Sequence, residues 1–330
     1  MDQPTVILFD MTIDGAISAA LAARALGQEC QLRATRSERL PDFFEESVQV
    51  GLPASCELVI CALEVVHKDW DGQLIRPRLM EGLRGFAGPI RWFSAEPWHP
   101  EDVAAVGHLV GADKLTVSGN ARCAAELVQQ HLLREPRHYE QRLVSTVLGP
   151  ESGWAVWQEN WRSVVRALKA KPEKAGEALS VLVEGRPELL SEELVEHAKE
   201  VEQENHEFAE QHASDPLEMR ANTLVTIDIP PERHCFWSEI GSHAIELKDT
   251  DFCLCRLVGR PVVILTRADD CRIDLRRWVR YLTDLMPPAE SLGNRAHMVP
   301  VVIQGLTEDP GLKQEAIDLL KDGSHLLQSG

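Results

Sequence analysis

Short apolar runs alternate with longer amphipathic or small-residue segments over the first 134 residues of the chain. The apolar runs predict buried strands at 5–10, 30–35, 57–63 and 89–94. The segments that follow them predict helices at 14–27, 41–51, 70–85 and 120–133. Short strands separated by helices indicate an α/β domain with a parallel, doubly wound sheet.

The pattern is wholly helical from residue 135 to residue 214. Trp154, Trp157 and Trp161 are spaced three and four residues apart, so they share one helix face, which favours core packing. The last part of this segment, 192–212, is rich in Glu and His and poor in large apolar residues. We interpret it as a solvated connecting helix.

The histidines of that connecting helix raise the question of a metal site. His197, Glu204 and His206 do not share one tight helix face, so the helix does not by itself present a cluster of metal ligands. The sequence therefore favours a solvated surface over a metal site here.

A second α/β pattern follows residue 214. Strands are predicted at 223–229, 252–258, 261–265 and 298–303, and helices at 238–246, 274–285 and 311–320. The chain is thus predicted to contain an α/β domain at 1–134, a helical insert and connector helix at 135–214, and a smaller α/β domain at 215–330.

Charge and cysteine usage limit the classes of partner. The formal net charge of the 330 residues is −18, which argues against binding to extended nucleic acid or to anionic membranes. No window is apolar enough for a membrane span and no leader pattern opens the chain, so we expect a cytoplasmic protein. Eight cysteines scattered through apolar runs indicate core packing in a reducing compartment. Cys253 and Cys255 are predicted to lie on opposite faces of a strand.

Two carboxylates lie at the first strand-to-helix turn. The first apolar run stops at Asp10, and Asp14-Gly15 opens the small-residue helix that follows. In α/β folds, ligands bind at such turns. The alternative interpretation is that Asp14 is the N-cap of its own helix.

These residues resemble the DHH phosphoesterases, the superfamily of RecJ-like exonucleases, nano-RNases and manganese exopolyphosphatases. Residues 5–27 are similar to its first motif, a strand followed by His-x-Asp-x-Asp-Gly and a Ser-Ala helix. Residues 121–128 resemble its Ser-Ser-Thr-Ala-Glu-Leu helix, and residues 271–277 resemble an Arg-bearing strand end of the DHH-associated domain. Residues 293–297 fall where that domain has a Gly-Gly-Gly-His turn. The resemblance implies a DHH-like domain, a connector and a DHH-associated domain.

In the family, His and Asp side chains at four strand ends hold two manganese ions, which activate a water for attack on phosphorus. In the first motif of this chain, Asp10 replaces the His and Thr12 the first Asp, whereas Asp14 and Gly15 match. The third strand end offers Glu64 in place of its Asp. The strand of the Asp-His-His signature offers Glu96.

Most ligands of the dinuclear site are therefore absent, and the resemblance implies a degenerate site. Asp10, Asp14, Glu64 and Glu96 would form the metal set if one Mg²⁺ or Mn²⁺ is held, with His99 nearby. No catalytic residue is assigned.

The second half offers a set of cationic side chains. Arg276, Arg277, Arg295 and His297 are predicted to bind a phosphate or carboxylate by charge-assisted hydrogen bonds. Asn294 and Arg295 stand where the family has glycines, which changes the tight turn.

Two hypotheses of function follow. The first is a pseudoenzyme without cofactor that binds a nucleotide, another phosphorylated small molecule or a protein partner. The alternative is an active phosphodiesterase on short oligonucleotides or nucleotides, with Asp10, Asp14, Glu64 and Glu96 holding Mn²⁺ or Mg²⁺. In that alternative, Arg276 and His297 hold the substrate.

Overall fold

A computed structural model describes residues 4–27, 30–50, 55–148, 155–220, 222–268, 271, 273–292, 298–309 and 311–327. The chain forms two compact units. Unit 1 contains residues 1–65 and 75–201, and unit 2 contains residues 66–74 and 202–330. The three-part division of the sequence stays a prediction.

Unit 1 is built on a parallel sheet. Its strands are β1 (Thr5–Asp10), β2 (Cys30–Thr35), β3 (Glu57–Cys61), β4 (Ile90–Ser94) and β5 (Leu115–Val117), in the order β2-β1-β3-β4-β5. All four pairs among these strands are parallel. This confirms the predicted α/β class. The order of the strands reverses between β1 and β3, which makes the carboxyl ends of these two strands the topological switch point.

Helices cover both faces of this sheet. They are α1 (Ile13–Leu26), α2 (Leu40–Val50), α3 (Arg76–Gly85), α4 (Pro100–Val110), α5 (Ala124–Leu132), α6 (His138–Val147), α7 (Ala155–Ala170), α8 (Ala175–Glu184) and α9 (Glu192–His212), which continues into unit 2. Ile7 and Phe9 of β1 enter one core and Val6 and Leu8 the other, because alternate residues of a strand face opposite sides.

The tryptophan face lies as predicted where the structure describes it. Trp161 is fully buried and Trp157 packs against the same core, whereas Trp154 lies outside the described residues. Strand β5 and helix α4 were not predicted. Helix α4 nevertheless has a clear sequence signal, since Pro100 opens it and Glu101 and Asp102 follow in its first turn.

Unit 2 is built on a mixed sheet. Its strands are β6 (Leu217–Glu218), β7 (Thr223–Ile229), β8 (Phe252–Leu257), β9 (Val262–Arg267), β10 (Ala289–Ser291) and β11 (Met298–Ile303), in the order β10-β11-β9-β8-β7-β6. Only β7 and β8 pair in parallel among these strands. Its helices are α10 (Trp237–Lys248), α11 (Leu275–Leu285) and α12 (Gly311–Asp322). No described helix combines the length and the apolar composition needed to cross a membrane.

The cysteine pair of β8 corrects one expectation. Cys253 and Cys255 are two residues apart, and such residues share a face of a strand, so the predicted opposite orientation was wrong. Their Sγ atoms lie 3.6 Å apart in the core. Both thiols are fully buried, which agrees with a packing role.

Candidate functional site

The carboxyl ends of β1, β2 and β3 lie at the same edge of the parallel sheet. Asp10 is the last residue of β1 and is in register with Thr35 of β2, while Phe9 is in register with Cys61 of β3. Asp10 is half-buried at this edge. The structure thus places the first predicted site residue at the switch point of the sheet.

Helix α1 begins directly after β1 with a tight turn. Thr12 is the N-cap residue, and its Oγ1 accepts a hydrogen bond from the Gly15 N–H at 3.1 Å. The alternative interpretation of Asp14 as the N-cap of its own helix was therefore wrong. A Cβ atom on Gly15 would lie 2.1 Å from the Asp10 carbonyl oxygen, which no side chain tolerates. The glycine is required because α1 starts against the strand end.

Asp14 instead caps a different helix. Its Oδ2 accepts the Ala124 N–H at 2.8 Å, and its Oδ1 accepts the Ala125 N–H at 2.9 Å. Oδ1 also accepts the Ser18 hydroxyl at 3.3 Å. The N-cap residue of α5 itself is Cys123, which is not one of the usual capping types. Asp14 satisfies helix amides that α5 cannot satisfy within itself.

The surroundings of Asp14 disfavour negative charge. Burial raises the pKa of Asp14, with a further contribution from the charge of Glu96, and the hydrogen bonds from α5 and Ser18 oppose this rise. Burial also raises the pKa of the Cys61 thiol far above its usual range and that of Cys123 to about 12. Asp14 therefore lies near two protonated thiols.

The loop after β2 adds a carboxyl group that was not predicted from the sequence. Burial raises the pKa of Glu38, the negative charge of Asp10 adds to the rise, and Arg36 and Arg39 oppose it. The Glu38 side chain is 15% exposed. Glu38 follows the end of a strand of the same parallel sheet, so its position after β2 could have identified it as a site residue from the sequence.

Glu64 and Glu96 follow the ends of β3 and β4. The Glu64 N–H donates to Ser37 Oγ at 3.0 Å, so the loops after β2 and β3 are joined by a hydrogen bond. The Glu96 N–H donates to Ser94 Oγ at 3.3 Å. Both glutamates are half-buried at the sheet edge. His99, placed near the metal set by the sequence, caps α4 by accepting the N–H of the second residue of that helix.

The side chains of Asp10, Asp14, Glu64 and Glu96 do not converge on one point as the ligands of a bound metal ion do. Within the described part of the chain, one group of at least three His, Cys, Asp or Glu side chains has all its ligand atoms within 4.8 Å of one another. That group lies in unit 2 and consists of Glu202, Glu239 and His243. The metal set Asp10, Asp14, Glu64 and Glu96 stays a prediction.

The predicted phosphate-binding residues lie at the start of α11. Asp274 is the N-cap and accepts the Arg276 N–H at 3.0 Å. The Arg276 guanidinium donates to the same carboxylate, with Nη2 at 2.6 Å, and lowers the pKa of Asp274. Arg277 is exposed, whereas Arg295 and His297 lie outside the described residues. Ligand binding by these four residues stays a prediction.

The two-unit fold is that of DHH-domain proteins. The structure matches one described as the DHH domain of a member of the S1p family of ribosomal proteins, with a TM-score of 0.65 and 14% identity over 99% of this chain and 87% of that chain. It also matches RecJ in complex with Mn²⁺ from Thermus thermophilus, with a TM-score of 0.54 and 13% identity over 97% of this chain.

The chain spans 51% of that RecJ. No protein-family model matches the sequence, and a search of curated proteins finds no match. The resemblance to the DHH phosphoesterase superfamily is confirmed at the level of the fold.

Proposed function

We propose that this chain is a DHH-fold protein without the dinuclear manganese site, and that it binds a nucleotide or another phosphorylated ligand instead of hydrolysing it. One observation above all others supports the loss of the manganese site. Both carboxylate oxygens of Asp14, the one ligand position retained from the first motif, accept backbone amides of α5.

The hydrogen bonds leave Asp14 little capacity for a metal. A carboxylate offers about four lone-pair positions, and the amides of Ala124 and Ala125 and the Ser18 hydroxyl occupy three of them. An aspartate that bridges two ions would need at least two free positions. Asp14 is better suited to holding α5 in place.

Beyond the carboxylates of Asp10, Glu64 and Glu96, the side chains near Asp14 do not supply the missing charge. Two divalent ions require several convergent anionic or imidazole ligands. Near Asp14 the structure has the thiols of Cys61 and Cys123, whose raised pKa values keep them neutral. The residues present do not fit a dinuclear manganese centre.

Hydrolysis assays test the loss of activity. The full chain and Asp14→Asn are incubated with Mn²⁺ and a 5′-phosphorylated dinucleotide, with a commercial phosphodiesterase as the positive control for the substrate. We expect no manganese-dependent turnover by either protein. Turnover that Asp14→Asn abolishes while circular dichroism stays unchanged would favour the active phosphodiesterase with Asp10, Asp14, Glu64 and Glu96 as its metal set.

Binding assays test the ligand. Calorimetric titration with the same dinucleotide is carried out on the full chain, on Arg277→Ala and on Arg280→Ala. Arg280 is a matched control, because it is exposed on the same helix but was not assigned to the ligand. We expect Arg277→Ala to weaken binding at least fivefold and Arg280→Ala to leave it unchanged. Equal affinities, or no binding by the full chain, would leave a protein partner as the proposed ligand.

A further inference from the structure

The part of α9 that belongs to unit 2 and helix α10 each present a glutamate and a histidine four residues apart. Glu202 and His206 lie on α9, and Glu239 and His243 lie on α10. Residues four apart lie on the same face of a helix, so each pair is arranged on a single helix face. The sequence of α9 alone gives no sign of this cluster, because the cluster requires both helices.

Side-chain atoms from these pairs converge. The ligand atoms of Glu202, Glu239 and His243 all lie within 4.8 Å of one another. Nε2 of His243 is 3.9 Å from Glu239 Oε1. The ring of His206 packs edge to face on the ring of His243, with centroids 5.1 Å apart. Two helices thus bring one imidazole and two carboxylates to one point.

The imidazole of His243 is the most informative member of the group. Its side chain is 15% exposed, and neither of its buried ring nitrogens has a hydrogen-bond partner in the described part of the chain. Buried polar atoms are almost always satisfied, by protein, water or an ion. A ring nitrogen that faces carboxylates has the environment of a metal ligand.

We propose that Glu202, Glu239 and His243 bind one Zn²⁺ ion that links α9 to α10. Zinc has three protein ligands and a water in catalytic sites and four protein ligands in structural sites, and a mixed imidazole and carboxylate set suits zinc better than magnesium. The charge of Zn²⁺ balances the two carboxylates. His206 is the candidate for the fourth position, which water otherwise fills.

The geometry needs little adjustment to accept the ion. Tetrahedral zinc ligands at about 2.0–2.1 Å from the metal lie roughly 3.3 Å from one another. Atoms within 4.8 Å of one another therefore need to approach by at most roughly 1.5 Å to bind the ion. With Nε2 toward the ion, Nδ1 faces Glu246 Oε2 at 4.0 Å. A carboxylate at that nitrogen orients a ligating imidazole.

This site is separate from the sheet edge of Asp14, and its function does not depend on hydrolysis. Metal binding to a preformed pair of helices contributes folding free energy. Zinc would therefore stabilise the packing of α10 on the part of α9 that belongs to unit 2. The proposed site is therefore a structural cation site.

The test is a zinc titration of the full chain after treatment with a chelator and removal of the chelator. We expect one equivalent of Zn²⁺ to bind, and Glu239→Gln and His243→Gln each to weaken binding at least tenfold. His197→Gln and Glu200→Gln are matched controls, since they form a Glu–His pair on α9 with Nδ1 3.3 Å from Oε2. The controls should bind as the unmodified chain does.

A second measurement, made on the unmodified chain, tests the proposal even if the ligand variants fail to fold. Zinc X-ray absorption on the unmodified chain should show only N and O ligands near roughly 2.0–2.1 Å, with imidazole scattering. Sulfur ligands near roughly 2.3 Å would assign the ion to cysteines and overturn the proposal. Absence of zinc binding, or equal binding by the ligand variants and the controls, would overturn it as well.

Discussion

Replacing Asp14 with alanine removes the acceptor for two helix amides at once. The bonds lost join Oδ2 to the Ala124 N–H and Oδ1 to the Ala125 N–H, together with the weaker bond from the Ser18 hydroxyl. Ala124 and Ala125 are 1% and 0% exposed, so water cannot readily replace the carboxylate. The start of α5 is left with unsatisfied donors.

The expected cost follows from these contacts. Losing a capping side chain costs about 1 kcal/mol, and a hydrogen bond to a charged group is worth about 1.5–3 kcal/mol. Burial of the carboxylate, which raises the pKa of Asp14, offsets part of the gain from the bonds. We therefore expect Asp14→Ala to lower the free energy of unfolding of unit 1 by about 2–4 kcal/mol.

Native-state hydrogen exchange measures this loss at the site itself. Protection of the Ala124 and Ala125 amides should fall roughly 30- to 700-fold, since about 1.4 kcal/mol corresponds to a factor of ten. Ser18→Ala is the control, because it removes only the 3.3 Å bond and should cost less than about 1 kcal/mol. A loss below about 1 kcal/mol in Asp14→Ala would refute the capping role.

The raised pKa of Asp14 also predicts a pH dependence. The folded protein holds this proton more tightly than the unfolded chain, in which Asp titrates at about 3.9. The stabilising contribution of the group is therefore complete below that value and is lost as pH rises through the pKa in the folded state. Asp14→Asn should show a flatter decline of the urea midpoint above about pH 4. Identical pH profiles for both proteins would contradict the raised pKa.

Two further predictions concern the same sheet edge. Gly15→Ala should destabilise unit 1 by more than about 3 kcal/mol, because its Cβ overlaps the Asp10 carbonyl. Gly85→Ala is the control, because a Cβ atom at that position has no neighbour within 4 Å, and it should be neutral or stabilising by up to about 1 kcal/mol. Equal urea midpoints for the two variants would refute the steric argument. Cys61, buried and with a raised pKa, should stay unlabelled by a maleimide in the native protein while half-buried Cys271 reacts. Mass spectrometry of labelled peptides measures the extent of labelling at Cys61 and Cys271. Rapid labelling of Cys61 would contradict its burial.

The elements that the sequence determined are those with strong local signals. The bounds of β1, β7 and β11 agree with the predicted 5–10, 223–229 and 298–303, because each is a short, mostly apolar run rich in β-branched residues. Strand β5 was missed, since it has three half-buried residues and gives no comparable run. The order of strands and helices was enough to predict the fold class.

Only the tertiary structure decided what the polar residues of these elements do. Asp14 and Ala124 are 110 residues apart, and Glu202 and His243 are 41 apart, so neither relationship has a local pattern. The sequence did predict carboxylates at the turn after β1, as the structure confirms. Whether a carboxylate caps a helix or binds an ion depends on which distant N–H groups or ligands the folded chain brings to its oxygens, and that is set by packing.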